Sequence, residues 1–132
     1  MLQKEVVERI CAKSGTKKYG RLSVMLQYYC DVESLLTINP EAFYPIPKVE
    51  SSIVKITPRQ EPKYQLFNED CFEIIVRAAF SQRRKNLYNG LKKYLHEDNI
   101  KKIGIPLNER AEKLKVEDFV KLSNLYYQSN IE

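Results

Sequence analysis

The chain has 132 residues, 43% hydrophobic and 30% charged, and its 22 Lys and Arg against 17 Asp and Glu give a net charge of +5. This composition excludes collagen-like, low-complexity and wholly disordered chains, and no stretch is apolar enough to span a bilayer, so we expect no membrane partner. The three cysteines form no close pair, which favours a cytoplasmic location over an oxidising compartment.

The first half of the chain mixes helical and strand patterns. Apolar spacing of three and four predicts helices over residues 4–12 and 22–29. Residues 30–38 and 48–57 read as strands separated by a proline-rich loop. Because two strands alone bury too little surface to be stable, residues 1–58 are expected to be the end of a larger α/β domain.

The second half of the chain reads as all-helical. Residues 59–62 resemble a linker, and residues 63–132 follow as a small helical domain. Asn68 is expected to cap its first helix, Asn108 a short later one, and residues 116–127 form the last.

Few residues offer conventional catalytic chemistry. His96 is the only histidine, and its position beside acidic residues favours a charge at a helix C-terminus over a catalytic base. The four glycines are far apart, so the sequence contains no Gly-rich phosphate loop, and no spacing of ligand residues indicates a metal.

One interval of the helical half is strongly basic. No acidic residue occurs between Glu73 and Glu97, whereas that interval contains Arg77, Arg83, Arg84, Lys85, Lys92 and Lys93. A single helix through it would place Arg84 about 40° from Phe80 on the apolar stripe, and burying an unpaired guanidinium is costly. We therefore expect either that the helix breaks near residues 81–83 or that the arginine side chain reaches out to a partner.

Such a break would present Arg83, Arg84 and Lys85 at a helix junction, an arrangement suited to the phosphates of RNA. The alternative is that these residues cap the preceding helix, pair with distant carboxylates, or simply form a solvated basic face.

A rigid aromatic precedes two prolines in the loop at residues 40–47. Phe43 could stack on an extruded base, with Lys48 on a neighbouring phosphate. From the residues alone, the favoured interpretation is that Phe43 fills the core beneath the loop.

Four ordered motifs resemble one family, the small-subunit rRNA adenine dimethyltransferases of the KsgA type. They are MLQKEVVER at residues 1–9, YGRLSV at 19–24, AFYPIPKVESS at 42–52 and AFSQRRK at 79–85. The resemblance implies transfer of methyl groups from S-adenosylmethionine to the amino nitrogen (N6) of two adjacent adenosines near the 3′ end of small-subunit rRNA. The immature small ribosomal subunit would be the partner.

The same resemblance implies a fold. Residues 1–58 would be the last strands and helices of a Rossmann-like methyltransferase domain, residues 59–62 a linker, and residues 63–132 a helical rRNA-docking domain. Phe43 matches the aromatic that stacks on the target adenine. Arg83, Arg84 and Lys85 match the basic motif that the family turns towards rRNA. For Arg21, Lys48 and Arg110 the resemblance implies phosphate contacts or structural ion pairs.

The sequence also departs from the family pattern. The Gly-rich cofactor loop, the acidic residue for the ribose and the Asn-Leu-Pro-Tyr motif do not occur in it, so we assign no cofactor-binding residue and no metal ligand here and expect this chain alone to be inactive. The alternative is a free-standing, non-catalytic RNA- or ribosome-binding module. Enzymes that methylate large-subunit rRNA share the Phe-x-Pro-x-Pro-Lys-Val pattern, but residues 82–85 fit the small-subunit type better.

Overall fold

A small antiparallel sheet forms one side of the protein. The computed structural model describes residues 2–38 and 50–130. The sheet has the strand order β1-β3-β2, with β1 at Leu2–Gln3, β2 at Cys30–Ile38 and β3 at Ser51–Pro58. Both predicted strands are confirmed as elements.

The hairpin of β2 and β3 has a continuous register with one irregularity. Cys30 pairs with Pro58 at one end and Ile38 with Ser51 at the other, and a bulge falls at Leu35. Residues 39–49 therefore connect the two strands at the end where Ile38 meets Ser51.

Helices make up most of the remaining chain. They are α1 (Lys4–Cys11), α2 (Arg21–Tyr29), α3 (Glu69–Ser81), α4 (Leu87–Leu91), α5 (Glu97–Lys102) and α6 (Val116–Asn130), with a 3₁₀ helix at Ala111–Lys113. The predicted cap of α3 is confirmed, because the Asn68 side chain accepts a hydrogen bond from the Cys71 amide at 2.9 Å. Of the two alternatives for the basic interval, the helix break is the one observed, since α3 ends at Ser81.

The core lies among the helices. Its largest buried members include Phe72, Ile75, Leu87, Leu91 and Phe119. Three residues from before the predicted linker belong to the same cluster: Tyr19, Val24 and Tyr28. The α2 segment therefore packs into the helical core as well as leading into the sheet.

The sheet, in contrast, leaves large apolar side chains in solvent. Leu35, Leu36 and Ile56 are all exposed.

Two sequence predictions about helix ends are wrong. His96 precedes α5, where its Nδ1 accepts a hydrogen bond from the Asp98 amide at 3.2 Å, so it caps a helix N-terminus instead of lying at a C-terminus. Asn108 does not begin a helix, because the 3₁₀ turn starts three residues later and follows Arg110. Over residues 2–38 and 50–130, no helix is long and apolar enough to cross a membrane.

Candidate nucleic-acid interface

The turn between α3 and α4 carries the basic motif. Ser81 Oγ donates to the Ala78 carbonyl at 2.6 Å, and the Lys85 amide donates to the Gln82 carbonyl at 2.9 Å. The Asn86 side chain then caps α4 by accepting from the Asn89 amide at 3.2 Å. These local hydrogen bonds fix the turn at both ends.

Arg84 and Lys85 are exposed on this turn. Neither side chain has a carboxylate within 4.0 Å among the described residues. Two unpaired cations on a fixed turn create a positive surface that suits a phosphate backbone.

Arg83 points elsewhere and is held by other parts of the chain. Its Nη2 donates to the Tyr19 carbonyl at 2.6 Å and also to the Lys17 carbonyl. The same nitrogen lies 3.9 Å from Glu112 Oε2, whose side chain is only 17% exposed. Arg83 therefore joins the α1–α2 loop and the 3₁₀ helix to the end of α3.

The sequence around Arg83 makes room for this contact. The guanidinium carbon lies 5.8 Å from the centre of the Phe80 ring. A Cβ at Gly20 would lie 3.0 Å from Arg83 Nη1, so the absence of a side chain there lets the guanidinium approach. Gly15, at φ +90°, turns the loop so that its amide donates to the Glu112 carbonyl at 2.6 Å.

The other predicted site residues fall in different places. Arg21 forms an ion pair with Glu73, with 3.3 Å between Nη2 and Oε1, and both side chains are about half exposed. Arg110 is exposed and precedes the 3₁₀ helix. Phe43 and Lys48 lie outside the described residues.

The end of the sheet next to residues 39–49 is tied to α1. The Lys4 amide donates to the Glu50 carbonyl at 2.8 Å, and Lys4 Nζ lies 3.0 Å from Glu50 Oε2. The hydrogen bond and charge of Glu50 raise the pKa of Lys4.

Sequence reasoning missed Arg59, which it assigned to a linker. Its guanidinium donates to the Gln27 and Tyr28 carbonyls at 2.6 and 2.8 Å and to Asp31 Oδ1 at 2.9 Å. No local sequence pattern predicts these contacts, because two of the three acceptors are backbone carbonyls at the end of α2.

Comparison with known proteins decides the family. The sequence model of the ribosomal RNA adenine dimethylase family matches residues 1–128. The chain belongs to this family. Similar members include the ribosomal RNA small subunit methyltransferase A of Hydrogenovibrio crunogenus, 52% identical over 97% of this chain, and that of Legionella pneumophila strain Lens, 50% identical over 93%. The chain spans about half the length of these relatives, 48% in both cases.

Solved structures of rRNA methyltransferases share the fold. A dimethyladenosine transferase from Plasmodium falciparum aligns over 96% of this chain and 55% of its own, with a TM-score of 0.76 and 26% identity. The 23S rRNA methyltransferase ErmE aligns over 96% of this chain and 52% of its own, with a TM-score of 0.65 and 22% identity. The second likeness concerns the fold alone.

Proposed function

We propose that this chain is part of an rRNA adenine N6,N6-dimethyltransferase that modifies two adjacent adenosines near the 3′ end of small-subunit rRNA during ribosome maturation. S-adenosylmethionine would be the methyl donor, the immature small subunit the partner and the cytoplasm the location. The observation that carries the proposal is the family match over residues 1–128, at about 50% identity to small-subunit methyltransferases.

The role of this chain within that protein is to dock on rRNA. Arg84 and Lys85 would contact phosphates, which is supported by their exposure and by their lack of carboxylate partners among the described residues. Arginine binds phosphate through two parallel hydrogen bonds, whereas lysine acts as a point charge. Such contacts position a protein on RNA without reading its sequence.

Arg83 serves this docking indirectly, as a positioning residue. Its bonds to the Lys17 and Tyr19 carbonyls support a role in fixing the turn that presents the next two residues. Arg110 is proposed as a further phosphate contact because it is exposed, and Arg21 as a structural ion pair with Glu73.

Phe43 is proposed to stack on the target adenine and Lys48 to hold a neighbouring phosphate. A purine must leave its stack before an enzyme can reach its amino nitrogen, and an aromatic face stabilises the extruded base. Residues 39–49 join β2 to β3, so the hairpin register would fix where this segment begins and ends.

The described residues do not fit a site for S-adenosylmethionine. Gly15 and Gly104 lie in separate turns, and within residues 2–38 and 50–130 no Gly-rich loop occurs at the end of a strand. We therefore derive no methyl-transfer step from this chain, and propose that the donor binds elsewhere in the whole protein.

The proposed domain division follows the resemblance: residues 1–58 from a Rossmann-like methyltransferase domain, 59–62 as linker and 63–132 as the rRNA-docking domain. The exposed Leu35, Leu36 and Ile56 support the first assignment, because helices packed on the faces of a larger sheet would cover them.

A binding experiment tests the docking role. The chain is titrated against immature small subunits at several salt concentrations, with Arg84→Gln/Lys85→Gln compared with Lys101→Gln/Lys102→Gln. The first pair is expected to weaken binding. It should also lower the salt slope, which is the slope of log binding constant against log salt concentration, by about one for each phosphate that the variant no longer neutralises. The second pair removes the same charge from exposed positions in α5, and equally weakened binding in both variants would contradict the assignment.

A methyl-transfer assay separates the enzyme fragment from a free-standing binding module. The chain is mixed with immature subunits and labelled S-adenosylmethionine, and we expect binding without methylation. Methylation by this chain alone would show that it holds a donor site and would overturn the proposal.

A further inference from the structure

A cleft of about 500 Å³ lies where the first and second halves of the chain meet. It is bordered by the chain that follows α1, by the Cys30 end of β2, by residues 59–64 and by the start of α6. Cys30 pairs with Pro58, so this is the end of the hairpin opposite to residues 39–49. With a rise of about 3.3 Å per residue over β2, the two ends are roughly 25 Å apart.

Three exposed lysines from separate segments line this cleft: Lys13, Lys63 and Lys115. Among the described residues none of them has a carboxylate within 4.0 Å. Arg59 adds a fourth positive charge to the lining, but it is neutralised by Asp31 at 2.9 Å. The cleft therefore has an excess of positive charge, which favours an anion.

The carboxylate at the start of α6 does not pair with these side chains. Asp118 Oδ2 accepts a hydrogen bond from the backbone amide of Lys115 at 3.0 Å. That helix has 15 residues, and its N-terminus borders the cleft through Val116. The carboxylates of Glu117 and Asp118 in the first turn of α6 offset the partial positive charge of its N-terminus, so the positive charge at the cleft comes from the lysines.

A buried hydroxyl in the wall of the cleft has no acceptor. Tyr19 is 1% exposed, and its hydroxyl has no hydrogen-bond partner among the described residues. Burial, together with the charge of Asp118, raises the pKa of Tyr19, so the group remains a donor. Buried donors are almost always paired, and this hydroxyl is closed off from solvent, so an oxygen anion in the cleft would accept from it only after the ring shifts towards the cleft.

The walls of the cleft are fixed by hydrogen bonds. Gln27 Nε2 donates to the Ile10 and Ala12 carbonyls, both at 2.8 Å, which holds the end of α1 on α2. Arg59 is fastened to the end of α2 in the same way. A site with rigid walls needs little reorganisation when it binds a ligand.

We propose that this cleft binds a phosphate group through Lys13, Lys63 and Lys115, and that the backbone of rRNA supplies the phosphate. The binding of phosphate follows from the cleft itself, whereas the RNA source rests on the proposed function. The cleft would be a second contact point for RNA, at the opposite end of the hairpin from residues 39–49. Its residues differ from those of the turn that carries Arg84 and Lys85.

The first experiment titrates inorganic phosphate into the 15N-labelled chain and follows its backbone amides by NMR. We expect saturable shifts at the three lysines and at Val116. The variant Lys13→Gln/Lys63→Gln/Lys115→Gln is expected to bind roughly tenfold more weakly or worse, as the loss of charged hydrogen bonds implies. A matched variant, Lys55→Gln/Lys101→Gln/Lys102→Gln, keeps the shifts.

The absence of saturable shifts in the cleft, or equal shifts in both triple variants, would overturn the site. The spectra also report whether each variant is folded. A third variant with arginine at all three cleft positions keeps the charge, so it is expected to keep phosphate binding.

The second experiment replaces phosphate by immature small subunits and compares the same variants with Arg84→Gln/Lys85→Gln. An RNA source predicts weaker subunit binding in the cleft variant and in the turn variant. Loss of phosphate binding without loss of subunit binding would reject RNA as the source and assign the cleft to a free phosphate compound. Failure of the wild-type chain to bind subunits would instead contradict the proposed function while leaving phosphate binding intact.

Discussion

The helical region and the sheet of this protein bury their apolar side chains to very different extents. Phe72, Ile75 and Leu87 are each 0% exposed, whereas Leu35 and Leu36 in β2 are 50% and 51% exposed. The hydrophobic contribution to folding is therefore concentrated among the helices. The helical region buries its large apolar side chains, whereas β2 leaves two leucines half exposed.

The largest test of this contrast is a cavity in the helical core. Phe72→Ala removes a fully buried ring that lies 5.0 Å, centre to centre, from the ring of Tyr28. Such truncations cost about 3–5 kcal/mol, a large part of the stability of a small domain. We expect a marked fall in the midpoint of urea unfolding followed by circular dichroism.

The matched truncation in the sheet is Leu36→Ala. Because that side chain is half exposed, its removal is expected to change the free energy of unfolding by no more than about 0.5 kcal/mol. Comparable destabilisation of the two variants would show that the sheet carries as much of the stability as the helices, and the contrast would fail.

A second test addresses how closely the helices approach. A Cβ at Gly90 would overlap the Ala78 carbonyl oxygen, so α4 lies directly on the backbone of α3. Gly90→Ala is expected to destabilise the chain by about 1–3 kcal/mol, although alanine normally favours a helix. Lys92→Ala, an exposed change next to the same helix, serves as the control in the same unfolding measurement.

If Gly90→Ala proved as stable as the wild type, the close packing of α3 on α4 would be wrong. A shift of the helices apart would also alter the environment of the basic turn, which begins where α3 ends.

A third test separates two neighbouring arginines of the basic motif. Arg83→Gln breaks the bonds to the Tyr19 and Lys17 carbonyls and is expected to cost about 1–2 kcal/mol of stability. Arg84→Gln removes an exposed, unpaired cation and is expected to leave stability unchanged within about 0.5 kcal/mol. Thermal unfolding and binding to immature subunits are measured on both variants.

The two variants are expected to differ in the salt dependence of binding as well. Arg84→Gln should reduce the salt slope by about one. Arg83→Gln should leave the salt slope unchanged and weaken binding mainly when heat or denaturant loosens the turn between α3 and α4. Equal stability and an equal loss of salt slope in the two variants would contradict the positioning role and would assign Arg83 a direct RNA contact.

Local patterns in the sequence predicted the elements that depend on neighbouring residues. The cap at Asn68, the apolar stripe of α3 and the break after Ser81 all follow from residues within a few positions of one another. The family resemblance likewise rested on contiguous motifs, and the family match confirmed it.

Contacts between distant segments could not be predicted in this way. Arg83 binds carbonyls 64 and 66 positions away, and a carbonyl acceptor has no side-chain signature. The prediction for His96 is wrong because α4 already stops at Leu91, and a new helix, α5, begins at Glu97. The cleft with three lysines could not be predicted for the same reason, since its members come from three separate loops.

The smallest expected effect concerns Tyr19, which precedes the sheet hairpin in sequence but is buried in the helical core. Burial and Asp118 raise the pKa of its hydroxyl above the ordinary value of about 10. The unfolded chain therefore releases this proton first as the pH rises. The corresponding stability is complete below about pH 10 and is lost progressively above it.

Tyr19→Phe is expected to flatten this alkaline loss, measured as urea midpoints between about pH 8 and 11. At neutral pH, in buffer free of phosphate, it removes an unpaired hydroxyl and should leave stability unchanged or raise it by less than about 1 kcal/mol. Tyr28→Phe is the matched control, because its hydroxyl donates to the Tyr64 carbonyl at 3.0 Å and its removal should destabilise the chain. A Tyr19→Phe variant that was destabilised as much as Tyr28→Phe would mean that the Tyr19 hydroxyl is satisfied in solution, and only the lysines would then indicate an anion at the cleft.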